Sequence, residues 1–194
     1  MKKTVQETRQ HILDVARTLM TNKGYTAVGL AEVVATARVP KGSFYYYFKS
    51  KEEFGQALLE EYFSAYLSTV DSLLSTQGQT PVERLLNYFR YWSDTQGTDL
   101  PDGKCLVVKL GPEVCDLSDD MRSILEQGTR GIVARIAGCV AAGQAEGQIA
   151  TRDTATALAE SLYQLWLGAS LLAKLGKRNE PFDIAMATTR RLLE

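Results

Sequence analysis

Histidine is nearly missing from this 194-residue chain; the single one, His11, sits in an amphipathic run near the start. That excludes most histidine-based acid–base catalysis and most zinc sites, which need several nitrogen or sulfur ligands in a cluster. Cysteine is scarce too. Cys105, Cys115 and Cys139 form no C-x-x-C pair, so neither a zinc ribbon nor a thioredoxin-type motif is present. An odd, low cysteine count, with no apolar leader behind Met1-Lys2-Lys3-Thr4, predicts a protein of the reducing cytoplasm. Long hydrophobic runs are lacking as well. The most apolar stretch, Ala155 to Leu175, is broken by Glu160, Ser161 and Gln164 and reads as a buried helix rather than a membrane span. The expectation is a protein with no membrane partner, no metal, no cofactor and no catalytic residues: not an enzyme.

Strand patterns are almost absent, whereas helix starts and stops are frequent. Thr4-x-x-Glu7 is a capping box, followed at helical spacing by Ile12, Leu13, Ala16, Leu19 and Met20, with Lys23-Gly24 as the stop. Short helices are predicted over 30–36 and 41–47, with a turn at Ala37–Pro40 between them. Ser50-Lys51-Glu52-Glu53 opens a long helix to about Leu74, and Thr80-Pro81-Val82-Glu83 opens another to about Gln96. Residues 97–104 read as a loop. Cys105–Leu110 is an apolar run in which helix and strand are evenly matched, ended by Gly111-Pro112. Helices are then expected from Ser118 to about Glu146, over Arg152–Leu175 and over Pro181–Leu193. The fold class is all-α, with about nine helices.

Overall charge is close to neutral, at −1, but its distribution is not. Residues 1–51 hold nine basic and three acidic groups, for +6; residues 52–194 hold the opposite excess, −7. Such asymmetry suggests an anion-binding surface at one end. The basic part also contains the two short helices, which have the size of a helix-turn-helix, whose second helix enters the major groove of DNA. Its start offers Lys41 for guanine acceptors or phosphate, Gly42 for close backbone approach and Ser43 for a base or phosphate. Tyr45 and Tyr46 can reach phosphates. Lys51, at a helix N-terminus, can do the same. Phe44 and Phe48, four residues apart, are expected to anchor the helix in the core. The bland reading of the same stretch is an aromatic packing cluster with no ligand.

The segment Val39-Pro-Lys-Gly-Ser-Phe-Tyr-Tyr-Tyr-Phe-Lys-Ser-Lys51, with Gly24-Tyr25 upstream, resembles the DNA-binding signature of the TetR family of bacterial transcriptional repressors. Chain length and helix count match that family throughout. The likeness to a redox-responsive member extends over Lys104–Arg122 and Leu165–Lys174. The resemblance implies a helix-turn-helix domain over 1–51 and a helical dimerisation and effector-sensing domain over 52–194. It further implies a homodimer joined through the last two helices, binding palindromic double-stranded operator DNA, and released by an electrophile, oxidant or other small-molecule inducer. It adds Gly29 and Tyr47 to the DNA-contacting set. Two departures stand out. Arg38 occupies a turn position that is often Gly in the family, which implies strain or another turn geometry. Val28-Gly29 replaces Ser or Thr, so Gly29 keeps the N-cap position but loses a side-chain phosphate contact.

Cys105 is the candidate sensor. If its run is helical, the thiol sits at a helix N-terminus with Lys104 adjacent and Lys109 one turn on, both of which lower a thiol pKa; Asp102 opposes them. A thiolate there would react with electrophiles or climb the oxidation ladder. The plain alternative, a small buried hydrophobe, is the reading adopted for Cys115 and Cys139. Lys174 closes the most apolar stretch, and its ordinary role is a cation at a helix C-terminus. Only the likeness to the redox-responsive relative, in which a thiol and a lysine bond reversibly, makes Lys174 a sensor candidate. A competing sensor is a reversible pocket for a small apolar ligand, lined by Tyr88, Tyr91, Trp92, Met121, Tyr163 and Trp166. The remaining alternative is a helical thiol enzyme using Cys105, against which stands the lack of any histidine base nearby.

Overall fold

The computed structural model describes residues 4–96 and 105–194, and all regular structure within them is helical. Nine helices follow in order: α1 (Val5–Lys23), α2 (Leu30–Thr36), α3 (Lys41–Tyr47), α4 (Lys51–Leu74), α5 (Pro81–Gln96), α6 (Leu106–Cys115), α7 (Asp119–Ala145), α8 (Ala155–Gly176) and α9 (Glu180–Leu193). The expected loop over 97–104, with Asp102 and Lys104, lies outside the described residues.

Local chemistry sets most of these boundaries. Thr4 and Glu7 cap α1 reciprocally: the Glu7 amide donates to Thr4 Oγ1 at 3.2 Å and the Thr4 amide to Glu7 Oε2 at 2.6 Å. Thr80 and Glu83 repeat the device on α5, at 3.2 and 2.8 Å. Gly24, at φ 99°, ends α1 in a conformation that residues with a Cβ avoid. The turn after α2 is a Schellman motif, in which the Val39 amide donates to Val34 O at 3.0 Å and the Arg38 amide to Ala35 O at 3.2 Å. Arg38 therefore sits at φ 54°, in the left-handed region where glycine is usual.

One boundary differs from expectation. Gly111-Pro112 does not end the apolar run; α6 continues through both to Cys115. Proline removes one helix hydrogen bond, but α6 packs against α1 and buries Leu106, Leu110, Gly111 and Val114. Apolar burial along that face outweighs one missing bond. It also decides the even match between helix and strand.

By packing, the chain forms two compact units: Met1–Phe63 with Leu100–Glu126, and Ser64–Asp99 with Gln127–Glu194. In the first, α1 packs on α2 and α6, and Phe44, Phe48 and Phe54 form a cluster with ring centroids 4.8–5.3 Å apart. His11 is engaged here, its Nε2 lying 3.1 Å from the Ala37 carbonyl. The second unit is centred on α5, α8 and α9. There Phe89, Trp166 and Phe182 stack, and Trp92 meets Tyr88 and Tyr163 edge-on. Both buried indole N–H groups are matched: Trp92 Nε1 donates to Ser170 Oγ and Trp166 Nε1 to Thr189 Oγ1, each at 2.9 Å. No described helix is long and apolar enough to cross a membrane.

Candidate functional site

Burial of Phe44 and Phe48 orients α3. With those two rings in the core, Tyr45 and Tyr46 turn outward, 52% and 71% exposed. Lys41, Gly42 and Lys49 are exposed, and Ser43 and Tyr47 are half-buried. The two adjacent tyrosines lie between lysines at both ends of one short helix, an exposed surface that is both aromatic and basic. A Cβ at Gly42 would meet nothing within 4 Å, so the backbone there is open to close approach. Gly29 is the N-cap of α2 in extended geometry with no side-chain cap, and it too is exposed.

Lys51 is more committed than the sequence suggested. Its Nζ donates to the Tyr25 carbonyl at 3.1 Å and lies 4.8 Å from the centre of the Tyr25 ring. The Tyr25 hydroxyl returns a bond to Lys51 O at 2.7 Å. Burial first, and the Glu52 and Glu113 carboxylates next, push that hydroxyl up to about 12, so it remains a donor. Lys51 thus braces the junction between α1 and α4, with ammonium protons to spare for a phosphate.

The same junction holds a residue that sequence reasoning missed. The Glu113 carboxylate, on α6, accepts from the Tyr25 amide at 2.9 Å, from the Thr26 amide at 2.7 Å and from the Thr26 hydroxyl. Burial raises the Glu113 pKa, but the Thr26 hydroxyl, the two amides and the Lys51 charge outweigh it and hold the carboxyl below its ordinary range. Lys109 on the same helix donates to Asn22 O at 3.2 Å, near the end of α1. Nothing in a single sequence pairs residues 87 or 88 positions apart; only the packing of α6 on α1 does so. This clamp fastens α6 to the segment just before α2.

Cys105 stands at the opening of that helix, as its N-cap residue. It is buried, at 7% exposure. Burial pushes its thiol up, against the Val108 amide, the Tyr62 hydroxyl and the Val107 amide, which favour the thiolate without closing a cap hydrogen bond. The expectation of a lowered pKa is therefore reversed. Desolvation prevails over the helix terminus, and Lys109, the cation meant to help, is turned toward Asn22. Cys115 is half-buried. Cys139 is buried, donates to Pro81 O at 3.4 Å and is pushed up to about 11, chiefly by burial.

Lys174 lies on the last turn of α8, exposed and already engaged in an interaction of its own, in the unit that does not hold Cys105. Tyr88, Trp92, Tyr163 and Trp166 fill the core of the second unit, packed on one another. Met121 belongs to the first unit, where its sulfur lies beside Gly55 and the Tyr25 ring. Between α8 and α9 an open groove is lined by Leu165, Leu172, Leu175 and Ile184, the last three strongly exposed.

Known proteins resemble this chain over nearly its whole length. Residues 12–58 match the family described as bacterial regulatory proteins, tetR family, and residues 81–189 match the tetracyclin repressor-like C-terminal domain. The chain is 38% identical over 192 residues to the HTH-type transcriptional repressor NemR of Escherichia coli (strain K12), covering 99% of this chain and 96% of that one. It is 35% identical over 176 residues to the HTH-type transcriptional repressor DhaR of Mycobacterium sp. (strain GP1), covering 90% and 86%. The crystal structure of E. coli NemR in its reduced form superposes with a TM-score of 0.91 at 37% identity, covering 96% of this chain and 97% of that one. These are regulators rather than enzymes, which sets aside the thiol-enzyme alternative. The chain belongs to the TetR family of DNA-binding transcriptional repressors.

Proposed function

We propose that this repressor, acting in the cytoplasm as a homodimer on a palindromic operator, leaves DNA when Cys105 is modified by an electrophile or oxidant. The observation that carries the reading is α6 itself. One short helix begins at Cys105 and, eight residues on, holds Tyr25 and Thr26 through Glu113, all within one compact unit. Burial of the sulfur suits a switch. A buried thiol has no room for an adduct, so any group added to Sγ displaces the start of α6 and loads the clamp. With a maleimide, Sγ bonds to one carbon of the ring double bond, that double bond becomes single, and the proton lost from the thiol is balanced by one taken up on the neighbouring carbon. Hypochlorite instead oxidises the thiol to sulfenic acid and leaves as chloride.

In this reading α3 faces the major groove, Lys41, Gly42 and Ser43 meet base edges or phosphate, and Gly29, Tyr45, Tyr46, Tyr47 and Lys51 flank the backbone. The dimer forms through the exposed apolar groove of α8 and α9. Lys174 has no role that the reading requires.

The test is operator binding before and after N-ethylmaleimide treatment. Wild type is expected to release DNA and Cys105→Ser to stay bound. Release of the Ser variant at the wild-type dose removes Cys105 from the mechanism. Because the thiol pKa is raised, its thiolate is scarce at neutral pH, and the rate of release should climb steadily as pH rises from 7 toward 9.

A further inference from the structure

We infer that Arg38, in the turn between α2 and α3, is a further DNA-backbone contact, and that its left-handed geometry is retained for that purpose. The inference rests on reading α3 as the groove-facing helix. Three observations lead to it. First, the Schellman turn places Arg38 at φ 54°, where glycine would sit without strain. Strained backbone kept by a non-glycine residue is a pointer to function.

Second, the cations of the basic segment divide into two groups. Lys23 is paired with Glu32, Lys51 is bound to Tyr25, Arg9 lies over the Phe48 ring at 5.2 Å, and Arg17 has a partner. Among the described residues, the side chains of Arg38, Lys41 and Lys49 have neither an ion pair nor a hydrogen bond within the protein. Those three bracket α3, two before or at its first residue and one just past its end.

Third, Arg38 is exposed, three residues before Lys41. A guanidinium offers a planar fork that matches two phosphate oxygens, and its reach exceeds that of any backbone group in the turn. A competing account is that the cation merely faces the carbonyl end of α2. That helix has only seven residues, and any such benefit would be confined to protein stability.

The experiment measures operator affinity against salt concentration for wild type and for Arg38→Gly, Arg38→Asn and Arg38→Lys. The probe is a duplex selected from a random-sequence pool on the wild-type protein. Gly and Asn both tolerate the left-handed backbone, so each variant folds. Loss of one phosphate contact flattens the slope of log affinity against log salt by about 0.9 per protomer, about 1.8 for a dimer, with Lys retaining most of it. Relief of strain is expected to raise the Tm of Arg38→Gly by roughly 2–4 °C, so that stability and DNA affinity move in opposite directions. An unchanged slope in both Gly and Asn variants overturns the assignment. So does an equal flattening on Lys23→Gln, which removes a cation already paired and reports net charge alone. Lys41→Ala serves as the control for the groove-facing helix: if it leaves affinity untouched, the reading of α3 is at fault.

Discussion

Gly55 lies where side chains from two other segments of the same unit converge. A Cβ added there would come within 2.7 Å of Met121 Sδ, 2.8 Å of Tyr25 Oη and 2.9 Å of Tyr25 Cε2. The thioether could swing away, but the Tyr25 ring is pinned by its hydroxyl bond to Lys51 O and by the Lys51 ammonium over its face. Gly55→Ala should therefore destabilise the protein by about 1–3 kcal/mol, measured by urea unfolding, although alanine is the better helix former. An unfolding midpoint at or above wild type would show that Tyr25 is free to yield. No sequence pattern marks Gly55. In the sequence it is one small residue in a helical run, and its role comes from Tyr25 and Met121, far away in the chain. The same holds for Cys105. Neighbouring residues leave the run it opens evenly matched between helix and strand, and they do not show its burial, which reversed the direction of its pKa.

Among the elements, α1, α2 and α3 were legible because their ends are set by local chemistry: the Thr4–Glu7 box, the positive φ at Gly24 and the tight turn at Ala37–Pro40. Helix α6 was not. Gly111-Pro112 is a stop signal when only neighbours in sequence are counted, and it is overridden by contacts with α1. Extending α6 past that pair is what brings Glu113 to Tyr25 and Thr26. A charged acceptor holding three donors is worth about 1.5–3 kcal/mol, less where water reaches it. Glu113→Gln keeps the shape and loses the charge. Its repressor should bind operator when unmodified, yet show a smaller difference in affinity between reduced and maleimide-treated protein, measured by fluorescence anisotropy. A full response in the Gln variant would place the coupling elsewhere in the unit. Since the Glu113 carboxyl is held below its ordinary range, it is charged at all pH values from 5 to 8, and the clamp should not itself respond to pH in that interval. Acid opens it: its contribution is complete above the ordinary glutamate pKa and is lost as pH falls through the lowered one.

At the scale of the molecule, a net charge of −1 conceals a basic segment of +6 joined to an acidic remainder of −7. The acidic remainder also carries the exposed Leu172, Leu175 and Ile184 around the groove between α8 and α9. If the proposed dimer forms through this face, charge there separates the protomers: Leu172→Glu with Leu175→Glu is expected to sediment as a monomer and to lose cooperative occupation of a two-half-site operator while keeping its helical circular dichroism. A dimer that survives both substitutions would move the interface off this face. If α6 couples Cys105 to the helix-turn-helix as proposed, the clamp at Glu113 also works in reverse. Linkage between two reversible equilibria is symmetric. If oxidation of Cys105 weakens the hold on DNA by a given factor, DNA must disfavour oxidation of Cys105 by the same factor. The operator is then a protector of the thiol, and the copies that respond to a stress are the ones in free solution before those at the promoter. Their depletion draws the bound repressor off in turn, so the number of unoccupied dimers in the cell sets the dose at which the gene is released.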